Sequence, residues 1–171
     1  MKKTVKFLTM GMLLIGMTAL VGCKKDYITK KDADNKYVQQ GTNNNTVQTE
    51  TFTTNSNQWV QSTSSASYYY NHSSTNITSD VISNGAVMVY LGDGSGNVWI
   101  AMPFSKSGLD FAYAMQPSNV QVDISQSNGL MPNNPGGQQF KVVTIPASGM
   151  KANPNVDLTN YKEVAKTFNL K

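Results

Sequence analysis

Alternation of apolar and polar side chains with a period of two is the feature that most constrains the fold of this chain. The odd-numbered positions of residues 109–115 are large and apolar, as are the even-numbered positions of residues 120–125. Neighbouring side chains of a β-strand point to opposite faces, whereas a helix repeats every 3.6 residues. With Gln116-Pro117-Ser118 between them as a turn, the two segments predict a hairpin with one core face and one wet face.

A second hairpin is predicted immediately upstream. Residues 86–91 (AVMVYL) are apolar at every position, which is typical of a central strand covered on both faces. Residues 92–96 (GDGSG) reverse the chain, and residues 97–104 return as a second apolar strand.

Three further strands and two helical segments complete the predicted fold. Strands are predicted at 48–54, 67–77 and 139–145, the last ended by Pro146, and a short helical turn at 80–83 is capped by Thr78, Ser79 or Asp80. The C-terminal segment changes period, because its apolar residues form one stripe of a helix with Asp157 or Thr159 as cap. The stripe consists of Leu158, Tyr161, Val164, Ala165 and Phe168. We therefore expect a mainly β protein: an antiparallel β-sandwich of about seven strands, with a short C-terminal helix covering an edge or open end.

The N-terminus has the three parts of a secretory signal. Lys2, Lys3 and Lys6 precede a run of 16 uncharged residues, 7–22, and Cys23 follows directly to complete Leu20-Val21-Gly22-Cys23. The run is short for a bilayer span, which needs about 20 apolar residues, and is typical of a signal peptide rather than an uncleaved transmembrane helix. The last four residues look like the lipobox of bacterial lipoproteins, in which a small residue admits the signal peptidase and the cysteine thiol takes diacylglycerol. Residues 1–22 are thus a predicted signal peptide, cut between Gly22 and Cys23.

Cys23 is the only cysteine, so lipidation would leave no thiol for a disulfide. Several acyl chains on one residue anchor a protein stably, whereas a single chain binds membranes marginally. Residues 23–45 then predict a flexible polar tether, and residues 46–171 a single domain. We expect lipid anchoring to the bacterial outer membrane, on its periplasmic or its surface-exposed face. The charged Lys24-Lys25-Asp26 is typical either of an export signal for surface lipoproteins or of a solvated linker.

Charge argues against a nucleic-acid partner. The signal holds three of the 14 lysines, which leaves 11 against 10 acidic residues and a mature net charge of +1. The chain contains no arginine, the residue that makes bidentate contacts to phosphate and guanine. Nucleic acid is therefore not an expected partner.

The residues that enzymes use most are scarce. His72 is the only histidine and reads as a surface or edge side chain. Residues 148–151 match S-x-x-K but lack the accompanying motifs of that enzyme class, and no His/Cys cluster is available for zinc. We expect no enzymatic activity and no cofactor.

Two weak binding candidates remain. Asp93, Ser95 and Asn97 space oxygen side chains as a calcium loop does, but the same residues are typical of a plain tight turn. Four aromatic residues could form a platform for sugar rings or could belong to the core; they are Trp59, Tyr68, Tyr70 and Trp99.

Four segments together resemble a group of small, uncharacterised Bacteroidota lipoproteins. They are residues 84–90 (NGAVMVY), 99–104 (WIAMPF), 137–146 (GQQFKVVTIP), and Tyr161 with the closing 168–170 (FNL). Some members of the group carry collagen-like Gly-X-Y tracts where this chain has an Asn/Lys-rich tether. The resemblance implies an anchored β domain and supplies no catalytic residue.

The expected function is therefore a membrane-anchored, non-enzymatic binding or structural module, held by lipid on Cys23. The alternative is a carbohydrate-binding accessory or adhesin-like surface module, with a glycan or a cell-surface protein as partner.

Overall fold

Nine β-strands build two antiparallel sheets in the computed structural model, which describes residues 46–170. The strands are β1 (Gln48–Thr53), β2 (Val60–Ser62), β3 (Ser67–Ser73), β4 (Ala86–Gly92), β5 (Trp99–Ala101), β6 (Phe104–Lys106), β7 (Leu109–Gln116), β8 (Asn119–Gln126) and β9 (Gln139–Ile145). The helices are α1 (Ser79–Asn84), α2 (Ala147–Ala152) and α3 (Tyr161–Thr167), with a 3₁₀ turn at Ser56–Gln58. The predicted signal peptide, lipidation site and tether lie outside the described residues.

The four-stranded sheet has the order β1-β9-β4-β5, and the five-stranded sheet has the order β2-β3-β8-β7-β6. The prediction of an antiparallel β-sandwich with a short C-terminal helix is confirmed. Between the sheets lies a core of buried apolar residues: Phe52, Trp59, Ile77, Val81, Val87, Val89, Leu91, Met102, Val120, Val122, Ile124, Phe140 and Val142. No helix within residues 46–170 is long and apolar enough to cross a membrane.

The two predicted hairpins are both present, and one is shorter than predicted. β7 pairs with β8 along its whole length, and Val120, Val122 and Ile124 face the core. β4 occupies an interior position and pairs with β5 from Tyr90 to Gly92.

The predicted strand at 97–104 is divided between the two sheets. β5 ends at Ala101, and the chain crosses so that Phe104 begins β6 beside β7 in the other sheet. Pro103 lies between them and has no N–H for a ladder hydrogen bond, which favours a break at this point.

The short helix α1 is capped as predicted, by one of the three candidate residues. The Thr78 hydroxyl accepts a hydrogen bond from the Val81 amide at 3.2 Å. β3 stops at Ser73 rather than continuing to Ile77, which instead lies fully buried in the core.

The C-terminal helix packs on the outer face of the four-stranded sheet and contacts its edge strand β5. Val164 is fully buried against Tyr90, Val143 and Ile145, which project from the side of β4 and β9 away from the five-stranded sheet. The prediction of Asp157 or Thr159 as its cap is wrong, because the Asn160 side chain accepts a hydrogen bond from the Glu163 amide. The molecule therefore has a third layer outside the sandwich.

Candidate functional site

One polar cluster lies between the two sheets, around Glu50 of the edge strand β1. Its Oε2 lies 2.9 Å from His72 Nε2, and its Oε1 accepts from Ser74 Oγ and Asn76 Nδ2, each at 2.6 Å. His72, Ser74 and Asn76 belong to β3 and the segment after it, so one carboxylate joins the two sheets. We call these four residues the Glu50 cluster.

Local geometry keeps the Glu50 cluster in place and its carboxylate charged. Burial raises the pKa of Glu50, but hydrogen bonds from His72, Ser74 and Asn76 lower it more, so the pKa lies below its ordinary value. The His72 ring stacks on Phe52 with centroids 4.0 Å apart and planes 9° apart. The expectation that His72 is a surface or edge side chain is wrong: it is 8% exposed, because it shares the inward face of β3 with Tyr68 and Tyr70.

The hydrogen-bond order in the Glu50 cluster does not match that of a serine-histidine-acid triad. In a triad the serine donates to the histidine, which can then remove its proton. Here Ser74 donates to Glu50 instead, and a carboxylate with a lowered pKa is a weak base. An inward-pointing charge on an edge strand also discourages edge-to-edge pairing. The Glu50 cluster therefore links the two sheets by hydrogen bonds in the interior of the sandwich.

The candidate calcium residues form a turn held by its own hydrogen bonds. Asp93 Oδ1 accepts from the Ser95 amide at 2.9 Å and from Ser95 Oγ at 2.6 Å, and Ser95 Oγ accepts from the Asn97 amide at 3.2 Å. These bonds lower the pKa of the exposed Asp93 carboxyl. Gly94 and Gly96 have φ of +83° and +78°, which only glycine adopts freely. Within residues 46–170 no group of three or more His, Cys, Asp or Glu side chains could hold a metal.

The four candidate platform aromatics do not share one surface. Trp59 is 6% exposed and donates from Nε1 to the Gly136 carbonyl at 2.8 Å, so it belongs to the core. Tyr68 and Tyr70 pack against the same core. Trp99 lies on the opposite side of the four-stranded sheet, in the cluster beneath the C-terminal segment.

A second cluster that contains polar side chains lies on that outer face, around Trp99. Trp99 is half-buried on the edge strand β5 and pairs with Gly92 of β4. A Cβ at Gly92 would come within 3.1 Å of Trp99 Cζ3 and 3.0 Å of Gln139 Oε1. Glycine at this position therefore leaves the space that the indole ring and the amide occupy.

Lys141 lies beside this ring and is 7% exposed. Its Nζ donates to Tyr161 Oη at 2.6 Å and lies 4.3 Å from the Trp99 ring centroid and 4.5 Å from that of Tyr161. Among residues 46–170 the only ion pair is between His72 and Glu50, so Lys141 has aromatic faces and a phenol around it but no carboxylate. Cation–π contacts contribute about 0.5–2 kcal/mol each, less than the several kcal/mol that removing an ammonium from water costs.

Gln139 adds a second incompletely satisfied group. Its Oε1 is the one buried side-chain polar atom in residues 46–170 without a hydrogen-bond partner. Gln139 and Lys141 are two positions apart on β9, so both project to the outer face. We call Trp99, Gln139, Lys141 and Tyr161 the Lys141 cluster, and it combines an ammonium, a phenol, an amide and an indole.

The sequence did contain a signal for this cluster. Residues 139–145 form a strand covered on both faces, and a lysine within such a strand must place its ammonium among apolar neighbours. Tyr161, the partner of Lys141, is 20 residues away in another element, and nothing in the local pattern connects the two.

Comparison with protein-family models, with curated proteins and with solved structures found no match to this chain.

Proposed function

We propose that this chain is a bacterial lipoprotein, acylated at Cys23, that carries its β-sandwich outside the cytoplasm as a non-enzymatic binding module. The observation that carries the proposal is the order of residues at the N-terminus: basic residues, then 16 uncharged residues that end in Gly22, then Cys23. Among the described residues the first strand begins at Gln48, and the polar sequence of residues 23–45 fits a tether.

The internal use of polar groups supports a binding rather than a catalytic role. The sole histidine is committed to Glu50, and Glu50 is committed to three donors from the other sheet. Glu163, the other glutamate, accepts a hydrogen bond from the Asp157 amide at 3.0 Å. These side chains are therefore bonded to other parts of the protein. A general base, by contrast, must lie within hydrogen-bond reach of the substrate proton that it removes.

Anchoring by lipid on Cys23 places the module at the outer membrane, on its periplasmic or its surface face. The lipid is then the first partner of the protein, through the acyl chains on Cys23. The mature net charge of +1 gives little attraction to anionic headgroups, so the acyl chains would carry the membrane affinity.

Cys23→Ser tests this proposal in the native host. The variant has no thiol to acylate, so it should leave the membrane fraction or accumulate as a precursor of unprocessed size. Lys25→Ser in the tether is the matched control and should fractionate with membranes like the wild type. A Cys23→Ser protein that stays in membranes at mature size would overturn the proposal.

Carbohydrate binding is the second candidate function, and one observation favours it. Trp99 is partly buried, has the Lys141 ammonium 4.3 Å from its ring centroid, and lies near the amide of Gln139. Small-molecule sites combine aromatic surface with a few converging polar groups in this way. Weaker binding of glycans by Trp99→Ala than by the wild type is the expected result, and equal binding would exclude Trp99 from the site.

A further inference from the structure

We propose that Asn128 is a modification site, at which the side-chain amide is lost spontaneously by reaction with the backbone of Gly129 and with water. Asn-Gly pairs are prone to this reaction, because glycine has no side chain to hinder the approach of its own backbone nitrogen. The chain contains two such pairs in nearly the same local sequence, at residues 83–86 (SNGA) and 127–130 (SNGL). Local sequence therefore gives the two asparagines a similar intrinsic reactivity, and their structural surroundings distinguish them.

The reaction proceeds through a cyclic imide. The Gly129 backbone nitrogen gives up its proton and bonds to Asn128 Cγ, and the Cγ–Nδ2 bond breaks so that Nδ2 leaves as ammonia. Water then opens the imide at either carbonyl, which gives aspartate or isoaspartate; in isoaspartate the main chain continues through the side-chain carbon. The net change is one water consumed, one ammonium released and one carboxylate gained.

The backbone at Gly129 has room for the imide ring, whereas the backbone at Gly85 has none. A Cβ placed on Gly129 would meet nothing within 4 Å. A Cβ placed on Gly85 would overlap the Ile145 carbonyl oxygen, because α1 ends here against the last residue of β9. Imide formation closes a ring beside the glycine peptide and therefore requires free space there.

Hydrogen bonds of the two asparagine side chains also favour reaction at Asn128. Asn84 Nδ2 donates to Asp80 Oδ1 at 2.8 Å, which ties this side chain to the preceding turn of α1. Asn128 Oδ1 instead accepts from the Leu130 amide at 3.0 Å, so its side chain lies over the Gly129 peptide. Negative charge develops on that oxygen when the nitrogen attacks Cγ, and an amide donor already in place stabilises it.

The glycine amide is hydrogen-bonded at both sites, so the cost of opening that bond matters. Gly85 donates to the Val81 carbonyl at 2.9 Å, and Gly129 donates to the Gln126 carbonyl at 3.0 Å. Val81 is buried in the core, whereas residues 127–130 are all exposed in the loop after β8. An exposed turn opens at a lower free energy than a helix end that packs on the core.

The rest of this loop is held by separate hydrogen bonds. Trp59 Nε1 donates to the Gly136 carbonyl at 2.8 Å, and Asn134 Nδ2 donates to the Ser56 carbonyl at 2.9 Å. Neither bond involves the residues that react. Modification of Asn128 would therefore add one negative charge to an exposed loop and leave the sandwich folded.

The test follows both asparagines in full-length wild-type protein in detergent at pH 8, where the backbone nitrogen loses its proton more readily than in acid. One sample is folded, and the other is unfolded in guanidinium chloride. Peptic digestion in acid stops the reaction, and tandem mass spectrometry locates each carboxylate that has replaced an amide. The matched variants are Asn128→Gln and Asn84→Gln, since glutamine would have to close a larger ring and reacts more slowly.

We expect folding to slow the reaction of Asn84 at least about tenfold more than that of Asn128, because Asn84 must first lose a hydrogen bond and leave a packed helix end. Asn128→Gln should remove most of the negative charge that the folded protein gains with time, and Asn84→Gln should not. Equal slowing at both sites would overturn the proposal, as would a folded protein in which Asn128 stays intact while the unfolded chain reacts. The comparison of the two sites is made on the wild type, so it does not depend on either variant folding.

Discussion

Glu50 and Lys141 both hold a charge away from solvent, and their partners differ in kind. Glu50 receives three hydrogen bonds from His72, Ser74 and Asn76. Lys141 donates one to Tyr161 and otherwise contacts aromatic rings. Removing a partner from a fully bonded buried charge is costly, whereas a buried charge that is only partly bonded already costs the fold free energy. At the scale of single residues, Glu50 is therefore part of the structure between the sheets, whereas burial of Lys141 costs the fold free energy.

The Glu50 cluster should make stability depend on pH. Because the pKa of Glu50 is lowered in the folded state, its contribution is present above the ordinary value of 4.5 and is lost as pH falls through the folded pKa. Glu50→Gln should cost about 1–2 kcal/mol at pH 7, and less as the wild type itself becomes protonated. Chemical unfolding of both proteins at pH 7 and pH 3 measures this, and a gap that does not shrink in acid would contradict it.

Lys141→Met should leave stability within about 1 kcal/mol of the wild type, or raise it. Methionine has a similar length and removes the cost of burying an ammonium, which offsets the lost cation–π contacts. The measurement is the free energy of unfolding in denaturant. A loss above about 3 kcal/mol would mean that Lys141 stabilises the fold even though it has no acidic partner among the described residues.

Individual elements were predictable where the pattern is local. The β7–β8 hairpin, the central strand β4 and the cap of α1 follow from alternation, apolar runs and capping chemistry. The division of residues 97–104 between two sheets did not follow, because both halves are apolar and only the distant partners β4 and β7 separate them. The helix stripe around Val164 indicated that α3 is docked, but not which surface receives it.

Packing of α3 should stabilise the four-stranded sheet. A helix of seven residues does not persist alone in water, so its stability comes from packing. Val164→Ala should cost about 2 kcal/mol, which lowers the melting temperature by roughly 6–8 °C. Lys162→Ala on the exposed side of the same helix is the control and should change it little. Thermal unfolding of the full chain measures both, and equal melting temperatures would contradict the packing.

At the scale of the whole molecule, the two layers of the sandwich were predictable and the third was not. The C-terminal segment lies on the outside of the four-stranded sheet and brings Tyr161 over Lys141. Both polar clusters depend on such long-range contacts, since Glu50 and His72 are 22 residues apart and Lys141 and Tyr161 are 20 apart. Sequence patterns report which face of an element is apolar, but not which distant element covers it.

The proposed arrangement predicts where a protease can reach the intact protein. Trypsin cleaves after lysine, and the tether contains Lys24, Lys25, Lys30, Lys31 and Lys36. Trypsin added to intact cells should release the sandwich if it is displayed on the surface, and should do so only after the outer membrane is opened if it faces the periplasm. Immunoblotting distinguishes the two. Cleavage only after the cytoplasmic membrane is broken would contradict export.

The intact mass of the protein purified from native membranes tests lipid anchoring most directly. We expect a chain that begins at Cys23, lacks residues 1–22, and carries the added mass of a diacylglyceryl group on the thiol. A tryptic peptide from the tether should locate that mass on Cys23. A chain that retains residues 1–22, or a mature chain with an unmodified Cys23, would contradict the account.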